Sequence, residues 1–171
     1  NLRLLNVKKP VIAWIEGAIT GAGISLALSC DFQIISETSK CAFSFVNIGF
    51  VPDSGAACLV TRAVGTTRAK DLFMSGRFFS GKDAADWGLF TEAVPAEELE
   101  ERVMKYVKKY SSGPSVAYAG IKTVINRVQF AAYADAMQAE IDAQGACELT
   151  EDFPEAVTAF LEKRRPQFKG K

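Results

Sequence analysis

Asp53 is the residue best placed to do chemistry in this sequence. It follows Pro52 in the turn Pro52-Asp53-Ser54-Gly55, after the apolar run "FSFVNIGFV" and ahead of the helix-like "GAACLVTRAVG". Asp is a good helix N-cap and Pro-Asp-Ser-Gly is a common turn composition, so the acid could be simple punctuation. Alternatively, walls from Phe43, Phe45, Ile48, Phe50 and Val51 would make it a usable proton carrier near neutral pH. The residues alone leave both readings open.

A second constellation is "GAITGAGISLALS", a glycine-rich loop between a strand-like and a helix-like segment. Free backbone N–H groups and the positive end of a helix dipole would meet there, which suits a phosphate or an oxyanion. The spacing is G-x-x-x-G-x-G, not the G-x-G-x-x-G of a dinucleotide fold, and no Gly-Lys-Ser/Thr follows as in a P-loop. The competing reading is that Gly21 and Gly23 only permit a tight turn and close helix–strand packing. A third candidate is the basic tail "FLEKRRPQFKGK", and with it Lys122 in "GIKTVINR"; such groups usually end a solvated helix but could hold a phosphate-bearing ligand.

The absence of histidine removes several chemistries at once. Ser-His-Asp hydrolysis, Cys-His proteolysis and His-ligated metal sites all need an imidazole. Carboxylate, Lys, Tyr and backbone dipole remain for acid–base work. Basic and acidic residues number 20 each, so no global field attracts nucleic acid or an anionic membrane. Cys30, Cys41, Cys58 and Cys147 stand singly in apolar surroundings, which reads as reduced thiols in a core and favours the cytoplasm or another reducing compartment. No apolar run reaches membrane-spanning length. The start, "NLRLLNVKKP", lacks an initiator Met and a signal pattern and enters as though mid-element, so the protein is expected to begin earlier.

These residues must be held by an α/β framework. "VIAWIEG" reads as a strand, "AITGAG" as a loop, "GISLALSCD" as a short helix and "FQIISE" as a second strand. "GAACLVTRAVG" and "TTRAKDLFMSG" read as two helices, each closed by a glycine. Ser80 suits an N-cap for "GKDAADWG", and "LFTEAVP" is strand-like. From Ala96 onward four segments carry helix spacing and none suggests a strand. The 171 residues, 49% hydrophobic, suffice for one α/β front, residues 1–95, with a helical layer, 96–171, and no polar linker between them.

Together these stretches resemble the crotonase superfamily, the enoyl-CoA hydratase/isomerase family. The resemblance is carried by "KKPVIAWIEGAITGAGISLALSCDFQIISE", "FSFVNIGFVPDSGAACLVTRAVG", "AKDLFMSGRFFSGKDAADWGLFTEAVP" and "EDFPEAVTAFLEKRRPQFKGK". It implies a spiral of ββα units followed by a helical region that trimerises, so that the partners would be further copies in a homotrimer or dimer of trimers. It also implies that the family's N-terminal units, which supply a second oxyanion donor and coenzyme A contacts, are missing from this chain.

The chemistry that the resemblance implies is stabilisation of an acyl-CoA thioester enolate by two backbone N–H groups. One of them maps to Ala22, between Gly21 and Gly23, and such a donor is worth about a hundred- to a thousand-fold in rate. The two glutamates of the family's hydratases map to Ser25 and Phe45, so the two-carboxylate hydration route is not carried. Asp53, after Val51 and Pro52, falls where the family's isomerases hold a single acid, and Phe45 would keep the pocket apolar and dry. Lys122 and Lys163 match basic positions that approach the coenzyme A phosphates. Coenzyme A would enter as part of the substrate, with no permanently bound cofactor and no metal.

The alternatives are a hydratase, an aryl-CoA enzyme with Asp53 as nucleophile, and a non-catalytic acyl-CoA binder or structural subunit. The aryl-CoA route usually adds a His base, which this chain lacks.

Overall fold

The computed structural model describes residues 1–171. After a single helical turn, α1 (Leu2–Leu5), the chain alternates short strands and helices. Strands β1 (Ile12–Ile15), β3 (Phe32–Ser36) and β6 (Glu92–Val94) form one parallel sheet with β3 in the middle. Ile12 lies opposite Phe32, and Ile34 opposite Glu92. Ile34 and Ile35 on the two faces of β3 are both fully buried, which explains why this strand reads as continuously apolar.

A second sheet joins β2 (Ala18–Thr20), β4 (Lys40–Ala42) and β5 (Phe78–Ser80); β2 and β4 are parallel, β4 and β5 antiparallel. The expected loop over "AITGAG" is therefore corrected: its first three residues are a strand, with Ile19 opposite Cys41. Three-residue strands are too short to display the period of two, and the pairing that creates them is non-local.

Helix α2 (Ala22–Leu28) follows β2 directly. Helix α3 (Ala56–Ser75) is broken at Gly65, where φ is 76° and ψ 162°, and ends at Gly76, so the two expected helices are present with almost no gap. In front of α4 (Gly81–Asp86), Ser80 Oγ accepts from the Asp83 N–H at 3.0 Å while Asp83 Oδ2 accepts from the Ser80 N–H at 2.9 Å. That is the N-cap expected of Ser80, completed as a capping box. The main core, including Ile15, Ile24, Ile35, Cys41, Phe43, Val60, Leu72, Phe79 and Phe90, lies among the two sheets, α2, α3 and α4. Of the four cysteines only Cys41 is in this core; Cys30, Cys58 and Cys147 are half-buried, which corrects the reading of all four as core thiols.

Four helices complete the chain: α5 (Leu99–Ser111), α6 (Ser115–Gln129), α7 (Tyr133–Glu148) and α8 (Asp152–Leu161). They pack back on the α/β part. Leu99 and Val103 of α5 cover Ile34 and Val94. Tyr133 of α7 joins Leu5 and Leu59, and Phe153 of α8 stacks on Phe50 at 4.2 Å. No helix is long and apolar enough to cross a membrane.

Candidate active site

The loop between β2 and α2 turns at Gly21, with φ 50° and ψ −124°, a conformation that glycine reaches and other residues resist. A Cβ there would also stand 3.3 Å from Phe45 Cζ, so the Phe45 ring roofs this loop. Gly21 N–H donates to Ala42 O at 3.0 Å, fixing the turn to β4. Ala22 is the first residue of α2, and its N–H has no partner within the helix. Gly23 serves close packing, since a Cβ there would meet Ile19 Cγ1 at 3.3 Å. Ser25, one helical turn beyond Ala22, is fully buried and donates from Oγ to the Asp53 carbonyl at 3.4 Å. That contact sets the acid turn beside the first turn of α2.

The acid turn runs through Val51 and Pro52 to Ser54 and Gly55, whose φ angles are 57° and 78°. Two left-handed residues in succession lead into α3. The first amides of α3 do not turn to the Asp53 carboxylate. Gly55 N–H donates to Glu140 Oε2 at 2.7 Å, and Ala57 N–H to Glu140 Oε1 at 2.8 Å. The acid's own carbonyl accepts from Ala56 N–H at 2.9 Å.

Asp53 is thereby released from the capping role that its local sequence suggests. Its Oδ2 accepts from Gln144 Nε2 at 3.3 Å, the same amide that donates to Val51 O at 3.2 Å. Its Oδ1 is buried without a hydrogen-bond partner. A buried carboxylate oxygen without a donor is costly unless something else uses it, a substrate proton for instance.

Three residues of α7 hold the turn: Tyr133, Glu140 and Gln144, spaced seven and four apart so that they share one helix face. Tyr133 is 1% exposed and donates its hydroxyl to Ser54 O at 3.3 Å. Glu140, also buried, has its carboxyl pushed above the usual range, first by burial; the amides of Ala57 and Gly55 oppose this, and the Asp53 charge adds to it. Neither Glu140 nor Gln144 is singled out by the sequence. The only signal is an acid and an amide on an otherwise Ala-rich helix face, 85 and 91 residues from their partners.

Ala22, Gly21, Gly23, Ser25, Phe45, Val51, Pro52 and Asp53 thus come together. The two lysines are elsewhere. Lys122 is 10% exposed and pairs with Asp31 at 2.7 Å, and Asp31 also accepts from Val11 N–H at 2.8 Å. This pair borders a cavity of about 360 Å³ lined by Leu28, Phe32, Tyr110, Ile121 and Phe130, at the opposite end of α2 from Ala22. Lys163 caps the end of α8 in a left-handed conformation, with its N–H on Phe160 O. The basic tail folds back on α8: Arg164 makes two bonds to Glu155, and the amides of Lys169 and Gly170 donate to Asp152.

This arrangement of strand pairs and helices is the crotonase-type fold. A crystal structure of an enoyl-CoA hydratase from Mycobacterium avium subsp. paratuberculosis matches it with a TM-score of 0.93 and 37% identity, over 97% of this chain and 68% of that one. The family model described as enoyl-CoA hydratase/isomerase matches residues 1–171, and the chain belongs to that family. Among curated relatives, the trans-2-decenoyl-[acyl-carrier-protein] isomerase of Streptococcus mutans is 34% identical over 98% of this chain. The 1,2-epoxyphenylacetyl-CoA isomerase of Escherichia coli is 33% identical over 99% of it. The chain spans 64% of the length of each of these two relatives.

Proposed function

We propose that this chain carries the proton-shuttling acid and one oxyanion donor of an enoyl-CoA isomerase. The observation that carries the reading is Asp53, an acid in a turn whose capping amides are taken by Glu140 and whose Oδ1 is buried and unpartnered. Ser25 and Phe45 stand where hydratases of the family hold glutamates, which favours isomerisation over hydration. Two relatives named as isomerases agree with this, although the closely matching crystal structure bears the name hydratase.

In the proposed reaction Asp53 accepts a proton from C2 of a 3-enoyl thioester. The electron pair moves onto the thioester oxygen, where the Ala22 N–H stabilises it. Collapse of the dienolate and return of the same proton to C4 leave the conjugated 2-enoyl thioester, with no water added. Phe45 over Gly21 helps to keep the site dry. A second oxyanion donor is assigned to the family's N-terminal units. Lys163 and Lys122 are proposed to act on the coenzyme A phosphates; Lys122 must first leave Asp31 to do so.

The test uses the full-length protein with 3-enoyl-CoA and follows formation of the conjugated product. Wild type is expected to convert it, and Asp53→Asn to lose several orders of magnitude. Equal activity in both shows that Asp53 is not the acid, and no activity in either points to CoA binding without chemistry; each outcome sinks the reading. Apolar residues exposed on α6 and α8, among them Val116, Val124, Val128 and Phe160, support assembly as a homotrimer or dimer of trimers. A monomeric mass in solution rules that out.

A further inference from the structure

We propose that Glu140 is a positioning residue that keeps Asp53 available by occupying the amides Asp53 would otherwise take. Asp followed two residues later by a free N–H forms an Asx-turn readily, its side-chain oxygen accepting from that N–H. In Pro52-Asp53-Ser54-Gly55 the group in question is the Gly55 N–H, and the next free amide of α3 is that of Ala57. Glu140 reaches over from α7 and takes both, at 2.7 and 2.8 Å. An acid imported from another helix does the local capping, and the local acid is left with a single amide contact, from Gln144, and one bare oxygen.

A carboxylate buried to 7% exposure is a costly helix cap when an Asp already stands in the turn. Its placement makes sense if the Asp must be kept off the amides. Gln144, one turn further along α7, complements it: by bonding both Val51 O and Asp53 Oδ2 it ties the side chain to the backbone that leads into the turn, away from α3. Tyr133 secures Ser54 between them. One face of α7 therefore sets the direction of the acid, although no residue of α7 needs to touch substrate.

The inference rests on Asp53 as the proposed acid for its catalytic consequence, but its structural half stands alone. The experiment is a crystal structure and steady-state kinetics of full-length Glu140→Ala and Glu140→Gln. The Gln variant keeps the shape and one acceptor should the Ala variant fail to fold. In the Ala variant the Asp53 carboxylate is expected to turn onto the Gly55 N–H, and in the Gln variant onto whichever of the Gly55 and Ala57 N–H groups the side chain no longer accepts from. With 3-enoyl-CoA, kcat is expected to fall about ten- to a hundred-fold with KM within about three-fold, as for a misaimed but still folded site.

If Asp53 stays beside Gln144 in the variants, whatever happens to kcat, Glu140 is only a helix cap and the proposal is overturned. The same follows if Asp53 turns and kcat is unchanged in a protein that Asp53→Asn inactivates. If Asp53 turns but wild type does not isomerise 3-enoyl-CoA, the positioning role stands and the isomerase reading is the one that fails.

Discussion

Replacing Gly55 by Ala probes the α7 clamp without touching a charge. Gly55 has φ 78°, and a Cβ at this position would overlap the Tyr133 hydroxyl and lie 2.7 Å from Tyr133 Cε2. Tyr133 is 1% exposed, so the ring has nowhere to go. The left-handed backbone costs an Ala about 1–2 kcal/mol, of which about 0.4–1 is returned by the stiffer unfolded chain. Overpacking adds roughly 1–3 kcal/mol, and losing the Tyr133–Ser54 hydrogen bond about 1. The net is a loss of about 2–5.6 kcal/mol, or roughly 30- to 10,000-fold in the folded-to-unfolded ratio. Urea denaturation should show a lower midpoint at an unchanged slope. Tyr133→Phe, which removes the first clashing atom, should offset part of the loss, with a coupling of about 0.5–3 kcal/mol in the double-mutant cycle. A loss below about 1 kcal/mol, or strict additivity with Tyr133→Phe, would mean that the turn is not gripped as described.

The Lys122–Asp31 pair predicts an asymmetry. Asp31→Ala strands a nearly buried ammonium and the Val11 N–H, and should cost about 3–5 kcal/mol. Lys122→Met leaves Asp31 with the Val11 N–H and should cost less, by chemical denaturation of both. Two carboxyls should respond to pH with opposite signs. Glu155 is held down at about 2, first by its hydrogen bonds from Arg164 and then by the Gln167 amide. Its contribution is therefore present above the ordinary carboxylate range and lost as pH falls through about 2; the Gln167 amide should lose exchange protection there in wild type, while Glu155→Gln shows no such acid transition. Glu140 is raised, so its contribution is full below the ordinary carboxylate range and lost as pH rises through its elevated value. The stability of wild type relative to Glu140→Gln should accordingly decline with rising pH, and a flat difference would contradict the burial assigned to it.

Most elements of the α/β front are legible because each carries a local cause. "VIAWIEG" and "FQIISE" are branched apolar runs, Ser80 is a capping residue three before Asp83, and Gly65 and Gly76 interrupt or end a helix. Strands β2, β4 and β5 escape such a reading since three residues hold no period, and only the pairing of Ile19 with Cys41 and of Cys41 with Phe79 makes them strands. Lys122 shows the opposite failure. A lysine on a helix looks free in sequence, but Asp31, 91 residues away, binds it at 2.7 Å.

For the site the division is sharper. The residues alone narrow the chemistry: no imidazole, no glutamate at positions 25 and 45, one acid after Val51 and Pro52, and a glycine-rich turn ahead of a helix. They could not choose between Asp53 as punctuation and Asp53 as a proton carrier, because both use the same four residues. What the turn's amides bind depends on how α7 packs against the turn. Glu140 arrives from 85 residues away to take the Gly55 N–H, and a buried amide satisfied by one carboxylate is not available to another.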